Sequence, residues 1–161
     1  QEDLVATVHD ALQNAGLDPA YLHIEITESV FMQDGAREVL LNFRRSGIDI
    51  SLDDFGTGYS SLSYLTRFPV DKIKLDRSFV RDIAHDTSNA AIIKAVVNLG
   101  HSLGMRVNVE GVETADVVSI LGAYGVDEIQ GYYYSHPLPV DGVAEFLAET
   151  AAPPLRVKSR A

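Results

Sequence analysis

Asp53 and Asp54 stand side by side after an alternating apolar stretch, and Glu25, Lys74, Glu110 and Gln130 close similar stretches elsewhere in the chain. An adjacent Asp pair at a strand end can serve as a turn or a helix cap, and single glutamates are ordinarily solvated. Brought to one mouth, these carboxylates would repel one another strongly unless cations neutralised them. Hard oxygen ligands in a chain without cysteine suit Mg or Mn. One carboxylate bridging two such ions about 3.5–4 Å apart builds the clamp used for phosphodiester hydrolysis. Asp53, next to Asp54, is the natural bridge. Lys74 has two readings: a structural ion pair with Asp76 or Asp53, or a fixed ammonium that orients an attacking water and stabilises charge on phosphorus oxygens. Phe55, Gly56, Thr57, Gly58, Tyr59 and Ser60 form either a plain surface loop or a mobile lid. Glu113, three residues past Glu110, reaches beyond the strand end and could anchor such a lid through Thr57 or Ser60. Tyr132, Tyr133 and Tyr134 read as core and rim residues, or one of them stacks on a base.

Strand-like and helix-like stretches alternate in a way that would bring these residues together. Strands are expected over residues 22–27, 48–52, 72–76, 106–112 and 128–134. Helices are expected over 1–14, 36–45, 87–103, 114–124 and 141–150, with a short helical piece over 62–67; Thr87 or Ser88 caps the longest one and Thr114 the next. Each of the first four strands alternates with period two: Ile24 and Ile26 oppose Glu25, Ile50 and Leu52 oppose Asp53, Ile73 and Leu75 oppose Lys74, Val107 and Val109 oppose Glu110. A strand buried on both faces would be apolar throughout, whereas parallel strands need helical crossovers. A parallel β/α barrel resolves the conflict, with its apolar face against the helices and its polar face lining the mouth. Active sites in that architecture lie at the C-terminal strand ends, where Glu25, Asp53, Lys74, Glu110 and Gln130 fall.

Composition narrows the chemistry. The 161 residues include no Cys and carry a formal net charge of -10. That excludes disulfide scaffolds, Cys-ligated metals and thiol nucleophiles, and an acidic surface does not hold bulk nucleic acid. No apolar run reaches the about 18–20 residues of a membrane span, and the acidic start is not a signal peptide. The absence of an initiating Met points to a trimmed start. Residues 1–150 read as one unit and residues 151–161 as a tail.

The strings Glu25-Ile26-Thr27-Glu28-Ser29, Asp53-Asp54-Phe55-Gly56-Thr57-Gly58-Tyr59-Ser60-Ser61-Leu62, Lys74-Leu75-Asp76-Arg77-Ser78-Phe79, Glu110-Gly111-Val112-Glu113-Thr114 and Gln130-Gly131-Tyr132 resemble the EAL domain family. That family comprises bacterial cyclic di-GMP phosphodiesterases and non-catalytic cyclic di-GMP receptors. The resemblance implies that Glu25, Asp53, Asp54 and Glu110 are metal ligands for two Mg or Mn ions, with Ca inhibitory. It implies that Lys74 assists the attacking water, that Glu113 holds the glycine-rich lid and that Gln130 lines the site; Asp76 and Tyr132 join Gln130 as candidate substrate contacts. The implied reaction opens one phosphodiester bond of cyclic di-GMP to give linear pGpG in the cytoplasm, whether or not the parent protein is attached to a membrane. Sensory or cyclase domains upstream and homodimers also belong to the family pattern.

One departure matters. The namesake Glu-Ala-Leu segment and an Asn strand after it, which supply further ligands in the family, are not in this sequence. A barrel of this kind takes about 250 residues and eight strands, and five are read here, so the chain is expected to be the C-terminal two-thirds of a domain and inactive alone. A second copy or a complementing N-terminal fragment would cover the open sheet edges. A non-catalytic cyclic di-GMP receptor is the alternative reading, and a metal-dependent lyase or isomerase on a similar barrel a remote one.

Overall fold

A computed structural model of the chain describes residues 2–31, 33, 35–57, 65–66, 68–84 and 86–150. Five strands, β1 (His23–Thr27), β2 (Asp49–Phe55), β3 (Lys72–Leu75), β4 (Arg106–Val109) and β5 (Glu128–Ile129), form one sheet in sequence order. Every neighbouring pair is parallel. The helices are α1 (Glu2–Ala15), the single turn α2 (Glu28–Phe31), α3 (Ala36–Arg45), α4 (Thr87–Ser102), α5 (Ala115–Ala123) and α6 (Val140–Thr150). The sheet is open, with β1 and β5 at its edges, so the molecule is an incomplete barrel of five parallel strands with flanking helices. Among the described residues no helix is long and apolar enough to cross a membrane.

The period-two alternation sorts the strand faces as expected. Ile50, Leu52, Ile73, Leu75, Val107 and Val109 are fully buried on the helix-facing side, packed in one cluster with Leu40 and Phe43 of α3 and Ile93 and Val97 of α4. Each such side chain contributes about 1.5–3 kcal/mol on leaving water. The other face carries Glu25, Asp53, Lys74, Asn108 and Glu110. Two acids at strand entrances tie neighbours together: Asp71 accepts from the Ile50 amide at 3.1 Å, and Asp127 from the Val107 amide at 2.8 Å. At the entrance of the inner face Arg106 bridges Asp49 at 2.6 Å and Glu128 at 2.8 Å, and Lys72 meets Glu128 at 2.6 Å.

Several local expectations change. β2 continues to Phe55 rather than stopping at Leu52, because a bulge intervenes: Leu52 pairs with Ile73 and Phe55 with Leu75, so β2 spends one extra residue over the same span. Asp54 takes up the irregularity with φ 54°. β4 and β5 are shorter than expected; after β5 the chain turns at once, the Tyr134 amide reaching the Gly131 carbonyl at 3.1 Å. The cap of α4 is Asp86, accepting from Ser88 N at 2.8 Å, rather than Thr87 or Ser88, since a carboxylate placed before the first turn reaches its free amides. Thr114 caps α5 as expected. The helical piece expected over residues 62–67 falls mostly outside the described residues, as do lid residues Gly58, Tyr59 and Ser60 and the tail 151–161.

Candidate active site

Parallel pairing brings the C-terminal ends of β1, β2, β3 and β4 to one place, and the lysine on β3 becomes their hub. Lys74 Nζ lies 2.7 Å from Glu25 Oε1, 3.0 Å from Asp53 Oδ1 and 2.7 Å from Glu110 Oε1. The acid partners come from β1, β2 and the residue following β4. Lys74 is 5% exposed. Burial by itself would push its pKa down, but the hydrogen-bonding carboxylates of Glu110, Glu25 and Asp53 outweigh that, and the ammonium holds its proton to a higher pH than a free lysine. Of the two ion-pair partners expected for Lys74, Asp53 is present, and among the described residues no ion pair joins Lys74 to Asp76.

The charge at this hub does not balance. Three carboxylates against one ammonium leave a formal -2, and at about 5 Å separation and an effective dielectric near 20 each carboxylate pair repels by roughly 3 kcal/mol. Asp54, the next residue, adds a further carboxylate at the strand end. Asp53 Oδ1 is fully buried and, apart from its ion pair, has no aligned hydrogen bond among the described residues. An oxygen-only donor set with excess negative charge fits a hard divalent cation. Among the described residues no three acidic or histidine side chains are preset around a common metal position; the acids point at the ammonium instead.

Beside the hub, Glu110, Glu113, Gln130 and Tyr132 line a cavity of about 200 Å³ together with Arg77, Gly111 and Gly131. Gly131 is required there: a Cβ would stand 2.1 Å from the Val112 carbonyl oxygen, so only glycine lets this turn lie against the loop after β4. Tyr132 stacks on His136 with ring centres 4.1 Å apart and remains 56% exposed, a rim position. Asp76 accepts from the Ser78 amide at 2.9 Å and caps the single turn Arg77–Phe79. Those Ser78 hydrogen bonds hold its carboxyl below the usual range.

The lid root is organised by a residue to which the sequence reading gave no role. Glu28, three residues after Glu25, accepts from the Gly56 amide at 2.9 Å. Gly56 has φ 91° and lies so close to Phe79 that a Cβ would come within 2.7 Å of its ring. Thr57 donates to the Asp54 carbonyl at 2.8 Å; Glu113 lines the neighbouring cavity. Arg77 also went unassigned. The signal for Glu28 was its place one turn beyond Glu25; for Arg77 only tertiary proximity counts.

The sequence profile of the EAL domain matches residues 1–137. The chain belongs to the EAL domain family. Cyclic di-GMP phosphodiesterase NbdA of Pseudomonas aeruginosa is 41% identical over 163 residues, which is 98% of the EAL chain described here and 21% of that protein. Among solved structures, the PaMucR phosphodiesterase in complex with c-di-GMP superposes with a TM-score of 0.82 at 41% identity, over 87% of this chain and 57% of that one. The manganese/cy-diGMP complex of Klebsiella pneumoniae BlrP1 at pH 9.0 superposes with a TM-score of 0.79 at 42% identity, over 85% of this chain and 36% of that one. The EAL chain thus spans about a fifth of the length of such curated relatives. Its open five-stranded sheet is part of an EAL-type barrel.

Proposed function

We propose that this chain is the C-terminal portion of a phosphodiesterase domain that hydrolyses cyclic di-GMP to linear pGpG. The observation that carries the reading is the buried Lys74 ammonium gripped by carboxylates from β1, β2 and the residue after β4, with net negative charge left over. Glu25, Asp53, Asp54 and Glu110 are the residues that would hold two Mg or Mn ions. Such ions supply neutralising charge at the phosphate and acidify a water for attack. Lys74, held by its neighbours, supplies a fixed positive charge beside the reacting phosphate, where negative charge grows in the transition state. Gln130 and Tyr132 form the wall that receives the rest of the nucleotide, Asp76 keeps the Arg77 turn in place beside it, and Glu28 and Glu113 hold the lid root and its opposite bank. Calcium, larger and looser in coordination, would occupy the acids without the compact geometry the reaction needs. The domain acts in the cytoplasm, where this messenger is found.

The test is turnover by an intact EAL domain carrying this sequence. With Mn, cyclic di-GMP should be converted to pGpG, excess Ca should block conversion, and Asp53→Asn should remove activity while leaving the circular dichroism spectrum unchanged. Tight cyclic di-GMP binding without cleavage would instead make it a receptor. Full activity in Asp53→Asn would overturn the two-ion assignment.

A further inference from the structure

Among the described residues, Ser51, Lys74 and Asn108 are polar and buried, and all three stand on the inner face of the sheet. Asn108 is 7% exposed, and its Oδ1 is fully buried with no hydrogen-bond partner among the described residues. The carboxamide orientation follows from its neighbour: Nδ2 faces Glu128 Oε2 at 3.5 Å, and the reversed amide would set two oxygens against each other. Glu128 is held in turn by Lys72 and Arg106. The free end of Asn108 is therefore an acceptor awaiting a donor.

The donor nearest in register is Lys74. The two residues are Cα partners across β3 and β4, so their side chains rise from the same face of strands about 4.8 Å apart. Lys74 gives its contacts to Glu25, Asp53 and Glu110, the acids assigned above to a divalent cation. A second cation on those acids repels the ammonium and competes for its acceptors. A buried ammonium left without acceptors is strongly unfavourable. A neutral carboxamide oxygen can take one N–H without drawing a divalent ion away from carboxylates.

We propose that Asn108 is a positioning residue for Lys74, its Oδ1 accepting the ammonium when a divalent cation occupies the Glu25, Asp53 and Glu110 carboxylates. This rests on the metal assignment of the preceding subsection. It explains why the fold keeps a buried, unsatisfied acceptor at this register position: the acceptor is used in the loaded state.

The test titrates an intact EAL domain carrying this sequence, and its Asn108→Leu and Asn108→Thr variants, with MnCl2 by calorimetry, alongside metal-free thermal melts and a crystal structure grown with Mn. Asn108→Leu should bind Mn about tenfold or more weakly, yet melt no lower without metal, since it removes an unsatisfied buried oxygen. Asn108→Thr, which keeps an acceptor, should recover much of the affinity. The Mn crystal should show Lys74 Nζ within hydrogen-bonding distance of Asn108 Oδ1. Unchanged Mn affinity in Asn108→Leu, or a crystal in which Asn108 Oδ1 binds only water while Lys74 keeps all three acids, overturns this inference alone. Failure of the unaltered intact domain to bind Mn overturns the metal assignment and this inference with it.

Discussion

At the residue scale the molecule turns on one buried lysine. Removing it leaves three carboxylates facing one another, so Lys74→Ala should destabilise the metal-free protein by about 2–3 kcal/mol, below the range for fully buried pairs because the acids keep some water. Saturating Mn should recover much of that loss in a thermal melt, since cations then replace the missing charge. The same variant in an intact domain should lower kcat by about 100-fold or more, the scale of losing a charge-stabilising donor. A melt shift that Mn does not reduce would count against carboxylates that receive cations. The lysine also sets an alkaline limit. Its folded pKa is raised, so its stabilisation is complete below the ordinary lysine value of about 10.5. The contribution is lost as pH rises from there through the higher folded value. Alkaline melts should therefore steepen for the unaltered protein and not for Lys74→Ala.

At the element scale, the strand ends become a site because tight turns let three loops stack. Gly131→Ala would drive a Cβ to 2.1 Å from the Val112 carbonyl, and the backbone cannot yield as a flexible side chain would. A loss of about 1–3 kcal/mol is expected, read from the thermal midpoint. In an intact domain the displaced Gln130 and Tyr132 should raise KM more than they lower kcat. The bulge in β2 has a comparable part: by adding a residue it carries Asp53 and Asp54 to the mouth together while returning Phe55 to the apolar side, where it is 5% exposed.

At the scale of the whole molecule, five parallel strands do not close. The inner face, with its ion pairs and the acid-lined hub, is bounded by β1 and β5, edges that no further strand pairs among the described residues. Open edges seek strands, and exposed Val140, Val143 and Leu147 on α6 add apolar surface. The isolated 161-residue chain should self-associate or bind a fragment carrying the remaining strands. Light scattering showing a stable monodisperse monomer would contradict this. It should also show negligible turnover of cyclic di-GMP with Mg or Mn, because the wall opposite β3 is not supplied; turnover at the rate of an intact domain would refute that.

The sequence by itself determined the elements, their faces and the identity of the acids. Period-two alternation and glycine stops are local signals, so Ile24, Ile50, Ile73 and Val107 could be set against Glu25, Asp53, Lys74 and Glu110 without knowing how the strands pair. Ranges failed where the stop was non-local: the last strand reads as residues 128–134, but the contact of Gly131 with the Val112 backbone ends it after two. Only the tertiary structure decided which acids Lys74 meets, that Glu28 reaches the Gly56 amide, that Arg77 joins Glu113 and Gln130 in one cavity, and that Asn108 keeps an unused acceptor beside the lysine. Those depend on inter-strand register and on a one-residue bulge. Both are set by packing between segments distant in the chain, which no local pattern records.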